Sequence, residues 1–188
     1  MLKMRRLFVI RCAVCYTNQP QARLLLLDGR EVGALKPKDD STGVIHRDIP
    51  YAPGRLTAEG LDKAGNVAAN YAIETSGCPY AIVAESDRQS FDKAGQVAII
   101  EIEVVDENGV PVKLADNNIT VRVKGGGELL ALESGDNFDM GDYRDSRQRV
   151  YGGHLVAYVR CTDPTQPVEL TLASPLLLPA ALTLPPRQ

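Results

Sequence analysis

Between Ala98 and Val105 the chain alternates with a period of two. Ala98, Ile100, Ile102 and Val104 fall on one side, and Ile99, Glu101, Glu103 and Val105 on the other. Successive side chains of an extended strand point to opposite faces, so this pattern gives one buried face and one largely solvated face. Shorter segments of the same kind recur along the chain, separated by turn-forming residues. No amphipathic helical pattern of ten or more residues occurs. A chain made of short alternating strands must bury its sheets against each other, which predicts an all-β fold.

The segments run as follows. Leu7 to Tyr16 is apolar and β-branched. Gln21 to Leu27 and Glu31 to Leu35 flank Asp28-Gly29, a dipeptide suited to a tight hairpin because it tolerates positive φ. Lys36-Pro-Lys-Asp-Asp-Ser-Thr-Gly43 reads as a loop. Val44 to Ile49, Arg55 to Leu61, Asn66 to Thr75 and Tyr80 to Glu85 read as further strands. The polar stretch Ser86-Asp-Arg-Gln-Ser90 is taken as the junction between modules of residues 1–86 and 87–188. In the second module Asp106-Glu-Asn-Gly109 turns the chain after the strand of Ala98 to Val105. Ile119 to Lys124, Leu129 to Leu132, Tyr151 to Cys161 and Val168 to Ala173 follow as strands, with Ser134 to Arg149 as a long polar loop. The Leu- and Pro-rich tail from Pro175 ends in either an edge strand or a frayed segment. Asp62-Lys-Ala-Gly-Asn-Val-Ala68 recurs nearly unchanged as Asp92-Lys-Ala-Gly-Gln-Val-Ala98, and both read as turns delivering the chain into a strand. The whole reads as two tandem immunoglobulin-like (fibronectin-like) β-sandwich domains.

Composition excludes several roles. The 188 residues carry a net charge of −3 with no basic stripe, which argues against nucleic acid or an anionic membrane as partner. No apolar run is long enough to span a bilayer. The basic and apolar start is interrupted by Arg11 after Leu7 to Ile10, too short a run for the core of a signal peptide. If the intact protein is exported or periplasmic, its leader is expected upstream. Cys12, Cys15, Cys78 and Cys161 do not make a disulfide scaffold at this length. Cys12-Ala-Val-Cys15 has metal-pair spacing, but i and i+3 on a strand face opposite ways and no second ligand pair is near. Buried or half-buried thiols are expected.

Catalytic constellations are missing. His46 and His154 have no Gly-x-Ser-x-Gly elbow to serve. Gly125-Gly-Gly127 is followed by a strand, so it reads as a turn or bulge and not as a phosphate loop. No catalytic residue, cofactor or metal is expected. Asp136, Asp139 and Asp142, at spacing three in one loop, could collect calcium, though a solvated acidic loop is the commoner outcome. The same loop holds Phe138, Tyr143 and Arg144, with Arg147 and Arg149 beyond, a contact surface for a sugar or a neighbouring domain. Tryptophan is absent and aromatics make up 5%. Most of the seven tyrosines sit in or beside strand signals, where core or corner positions are expected.

Two sets of segments resemble consecutive modules that follow the catalytic barrel in bacterial family 2 glycoside hydrolases of the β-galactosidase group. In the first half they are Cys15-Tyr-Thr-Asn18, Ala22-Arg-Leu-Leu-Leu-Leu-Asp-Gly-Arg-Glu-Val-Gly33, Pro50-Tyr-Ala-Pro-Gly-Arg-Leu-Thr-Ala58 and Glu74-Thr-Ser-Gly77. They are similar to a module long catalogued as a domain of unknown function. In the second half they are Ile102-Glu-Val-Val-Asp-Glu-Asn-Gly109, Ala115-Asp-Asn-Asn118, Gly127-Glu-Leu-Leu130, Gly135-Asp136 and Tyr151-Gly-Gly-His-Leu-Val-Ala157. These are similar to the family's C-terminal immunoglobulin-like module.

The resemblance implies an accessory role: packing on the barrel, in cis or as a separate chain, and shaping its cleft or mediating oligomerisation. Retaining glycosidases need two carboxylates about 5 Å apart, and the family's acid/base sits in an Asn-Glu dipeptide that this sequence lacks. A chain of this length is also too short for an (α/β) barrel. The resemblance therefore implies a part inactive by itself, either a C-terminal fragment or a separately encoded remnant beginning at Met1. Two other functions compete: a stand-alone saccharide-binding or adhesion module, and a dimerisation module pairing through an edge strand such as the Pro-rich tail.

Overall fold

The structure, a computed structural model, describes residues 10–25, 29–32 and 35–186. Among these there is no helix, and so none long and apolar enough to cross a membrane. Every sheet pairing is antiparallel, and the chain divides into two compact units, residues 1–75 and 76–188.

The first unit contains β1 (Ile10–Tyr16), β2 (Gln21–Leu25), β3 (Lys36–Pro37), β4 (Val44–Pro50), β5 (Arg55–Leu61) and β6 (Val67–Glu74). β1 and β4 form a two-stranded sheet, and the other four form a sheet in the order β3-β2-β5-β6. Among the described residues, Ala22, Ile45, Ile49 and Leu61 are its buried apolar side chains. Lys36 and Pro37, expected in a loop, pair with Ala22 and Gln21. The anticipated hairpin at Asp28-Gly29 and the start of the first strand lie partly outside the described residues.

The second unit contains β7 (Ala81–Ser86), β8 (Val97–Val105), β9 (Asn118–Gly125), β10 (Gly127–Glu133), β11 (Arg147–Arg149), β12 (His154–Cys161), β13 (Val168–Ala173) and β14 (Ala180–Leu184). Its sheets run β10-β12-β8-β7 and β11-β9-β13-β14. The period-two face of β8 is the centre of the core: Ala98, Ile100, Ile102 and Val104 are fully buried. They pack with Ile119, Val121, Leu132, Leu155, Leu170 and Leu172. Only Gly126 separates β9 from β10, and a Cβ there would meet the Asp163 carbonyl oxygen at 2.1 Å. The tail does form an edge strand, β14. Just before it, Leu178 lies parallel to Ala81: the Ile82 N–H donates to the Leu178 carbonyl (3.0 Å), and the Leu178 N–H to the Tyr80 carbonyl (2.8 Å).

The units divide at Thr75–Ser76 rather than at residue 86. β7 pairs along its whole length with β8, from Ala81↔Val105 to Ser86↔Ile100, so the polar stretch after it is a connection inside the second sandwich. The tyrosines also depart from expectation. Tyr16, Tyr51, Tyr71, Tyr80, Tyr143 and Tyr151 are exposed, and among the described residues Phe91 is the one buried aromatic side chain in a core otherwise built of aliphatic residues and Cys161. Of the thiols, Cys161 is buried and Cys15 half-buried, but Cys78 is exposed.

Candidate functional site

The loop between β10 and β11 is fastened at two points. The Leu132 N–H donates to the Tyr143 carbonyl (2.7 Å), and the Val121 N–H to the Ser146 carbonyl (2.8 Å). Ahead of these points, three aspartates each close a turn of their own. Asp136 accepts the Phe138 N–H (3.0 Å), Asp139 the Gly141 N–H (2.9 Å) and Asp142 the Arg144 N–H (2.9 Å). An Asp side chain bonded to the backbone two residues on is the Asx turn, and three in succession give the spacing of three.

Their second oxygens are also engaged. Asp136 accepts from Arg149 (3.2 Å), Asp139 from the Gln148 amide (2.5 Å) and Asp142 from the Arg144 guanidinium (2.9 Å). The carboxylates thus hold the loop, and no group of three His, Cys, Asp or Glu suited to a metal ion occurs among the described residues. Hydrogen bonding from the Arg144 side chain holds the Asp142 carboxyl below the usual range, which keeps it ionised and unfit as a general acid at neutral pH.

This scaffold turns apolar side chains outward. Phe138 is 92% exposed and Met140 93%, with Tyr143 and Arg144 also exposed beside them. A shallow, mainly polar cleft of about 360 Å³ opens among Asn118, Phe138, Asp139, Asp145, Arg147 and Arg149. Arg149 also lines a second shallow cleft, of about 460 Å³, walled by Leu114 and Tyr151. Leu114 is 95% exposed. The loop residues Asp136, Phe138, Asp139, Asp142, Tyr143 and Arg144 are therefore brought together, but as aspartates that brace and side chains that project. Met140, Leu114 and Tyr151 are additional projecting residues. The signal for Met140 was an apolar side chain stranded in a polar loop.

Elsewhere the second unit repeats the same device. Asp106 accepts the N–H groups of Asn108 and Val110 (both 2.9 Å) and, across the fold, that of Gly77 (2.7 Å). His154 begins β12, while His46 belongs to β4 of the first unit.

A helix-free pair of compact, antiparallel units among the described residues defines a pair of β-sandwich modules. The chain belongs to the glycoside hydrolase family 2 C-terminal domain 5 family, which matches residues 82–183, and a domain of unknown function (DUF4982) matches residues 13–69. It is 26% identical over 169 residues to the β-galactosidase BoGH2A of Bacteroides ovatus, covering 89% of this chain and 20% of that enzyme. A β-glycosidase structure from Bacteroides vulgatus superposes with a TM-score of 0.86 at 27% identity, over 94% of this chain and 22% of that one. A family 2 member from Bacteroides cellulosilyticus shares the fold, with a TM-score of 0.85 at 20% identity, over 95% of this chain and 23% of the other. The chain thus spans about a fifth of the length of these relatives, and it corresponds to an accessory region of family 2 glycoside hydrolases.

Proposed function

We propose that this chain is the non-catalytic C-terminal accessory region of a β-galactosidase-like enzyme, and that the 134–146 loop with Leu114 and Tyr151 packs on the catalytic barrel or shapes its cleft. The observation that carries the reading is the projection of Phe138, Met140 and Leu114 around Arg149, from a loop whose carboxylates are used internally. Exposed apolar and aromatic side chains held rigidly beside arginine are what a permanent neighbour buries. The match to a β-galactosidase over most of this chain supports the choice of partner.

Two measurements test it. The isolated chain is expected to give no hydrolysis of aryl β-galactosides, and turnover that tracks the protein through purification overturns the reading. The Bacteroides ovatus enzyme, produced without the fifth that matches this chain, is expected to capture it. Phe138→Ser with Met140→Ser should weaken capture about tenfold or more, and unchanged capture removes the loop from the interface.

A second reading, saccharide binding, draws support from the polar cleft beside the Phe138 ring, where Asn118, Asp145 and Arg147 offer donors and acceptors. Calorimetric titration with galactose-containing oligosaccharides decides it. Saturable heat lost in Arg147→Ala supports the reading, and no heat ends it.

A further inference from the structure

The two sheets of the second unit turn outer faces of opposite sign to solvent. On the sheet β10-β12-β8-β7 the outward positions are acidic. Glu101 of β8 lies directly opposite Glu85 of β7, and Glu103, Glu128 and Glu133 share that face. Three of these are engaged: Lys113 pairs with Glu103 (2.9 Å), Arg160 with Glu128, and the Tyr158 hydroxyl donates to Glu133 (3.2 Å). The sheet β11-β9-β13-β14 is the reverse. Ile119, Val121, Leu170 and Leu172 point into the core, so the residues alternating with them face solvent. Those outward positions hold Arg122 and Lys124 on β9 and Arg147 and Arg149 on β11. The others are Asn, Thr and Ala, with Glu169 the single acid. This runs against composition, since residues 76–188 contain ten Lys and Arg against sixteen Asp and Glu.

Arg149 is occupied by Asp136. Arg122, Lys124 and Arg147 are exposed and make no ion pair among the described residues, not even Lys124 with Glu169, its cross-strand neighbour. The three stand in single file. Arg122 and Lys124 are two residues apart on β9, about 7 Å along the strand. Arg147 lies opposite Thr120, so it is the diagonal neighbour of Arg122 at roughly 7–8 Å. Threonines fill the gaps: Thr120 lies beside Arg147, and Thr171 of β13 lies opposite Arg122. None of the exposed large hydrophobic side chains among the described residues is on these four strands. A protein partner is held by aromatic and aliphatic anchors, and single-stranded nucleic acid by aromatic stacking platforms. This face offers neither. It offers spaced cations and hydroxyl groups on a flat surface.

We propose that the outer face of β9, β11 and β13 binds a carboxylated polysaccharide, a chain of uronic acid residues lying along β9. The guanidinium groups of Arg122 and Arg147 each take a carboxylate in bidentate fashion. Lys124 adds a point charge, and Thr120 and Thr171 meet ring hydroxyls between the anions. Single cations at steps of about 7–8 Å match a polymer with one monoanion per sugar. Neither reading above is needed for this one, because neutral galactose-containing oligosaccharides carry no charge for these residues to hold.

Calorimetric titration of the 188-residue chain at low salt tests it, with three probes: an oligogalacturonate, a neutral galacto-oligosaccharide of the same length, and single-stranded DNA. Saturable binding of the oligogalacturonate alone is expected. The double variant Arg122→Gln with Lys124→Gln, at exposed positions that leave the core intact, should weaken it about tenfold or more. Arg147→Gln, on a different strand, should weaken it in the same direction, and Glu101→Gln on the opposite face should leave it unchanged. No binding of the oligogalacturonate overturns the proposal. Equal binding of the neutral oligomer overturns the role of charge, and equal binding of DNA reduces the face to a general polyanion surface and overturns it too. Binding that survives the double variant removes the site from this face.

Discussion

Asp106 shows how much one carboxylate fixes here. It closes the hairpin after β8 and also holds Gly77, at the start of the second unit. The N–H of Gly77, then those of Val110 and Asn108, hold its carboxyl below the usual range. A folded-state value below the unfolded one, about 3.9, gives a stabilisation complete above that pH and lost as pH falls through the lowered value. The melting temperature of the second unit is therefore expected to be level above about pH 5 and to fall below about pH 4. Asp106→Asn should lower it at neutral pH and flatten part of the acid decline, as read by calorimetry across pH. Leu176 has the opposite character. It is the one non-glycine with positive φ (67°) among the described residues, and its side chain is fully exposed. A left-handed backbone costs a side chain about 1 kcal/mol, and no packing offsets it, so Leu176→Gly should raise urea stability by up to about that amount. Asp106-Glu-Asn-Gly109 could be read as a turn because Asp and Gly are turn chemistry. Leu176 gave no such sign, since its conformation is imposed by the strands on either side.

At the scale of the element, legibility followed burial. β8 was readable because its alternate residues are all apolar and all buried. β11 was not, because its one buried residue is Gln148, made tolerable by the Asp139 carboxylate. β7 was assigned to the wrong side of the junction, since pairing with β8 leaves no trace in local composition. The contact loop was visible as an acidic, aromatic stretch. Its three successive Asx turns were not, and these decide that the aspartates brace while Phe138 and Met140 project. The tight β9–β10 connection gives a sharper expectation. A side chain at Gly126 would strike the backbone of Asp163 and Gln166, where nothing flexible can give way. Gly126→Ala should destabilise the second unit by about 2–3 kcal/mol, measured by urea unfolding, whereas Gly135→Ala, with nothing within 4 Å, should cost only its positive φ.

At the scale of the whole molecule, the second unit carries the larger buried core among the described residues and the match to the family 2 C-terminal domain. The parallel bridge between Ala81 and Leu178 bears on the mechanics of the second unit. Because its first strand and the run into its last strand point the same way, they leave the sandwich toward opposite poles. Tension applied between the ends of this unit loads the Ile82–Leu178 and Leu178–Tyr80 bonds together, in shear. Strands sheared side by side must break these bonds at once, whereas a hairpin pulled from its open end gives way bond by bond. Rupture under load is governed by the unfolding barrier. Single-molecule stretching should therefore show a high force peak for this unit, reduced in Leu178→Pro, which removes the N–H that holds Tyr80.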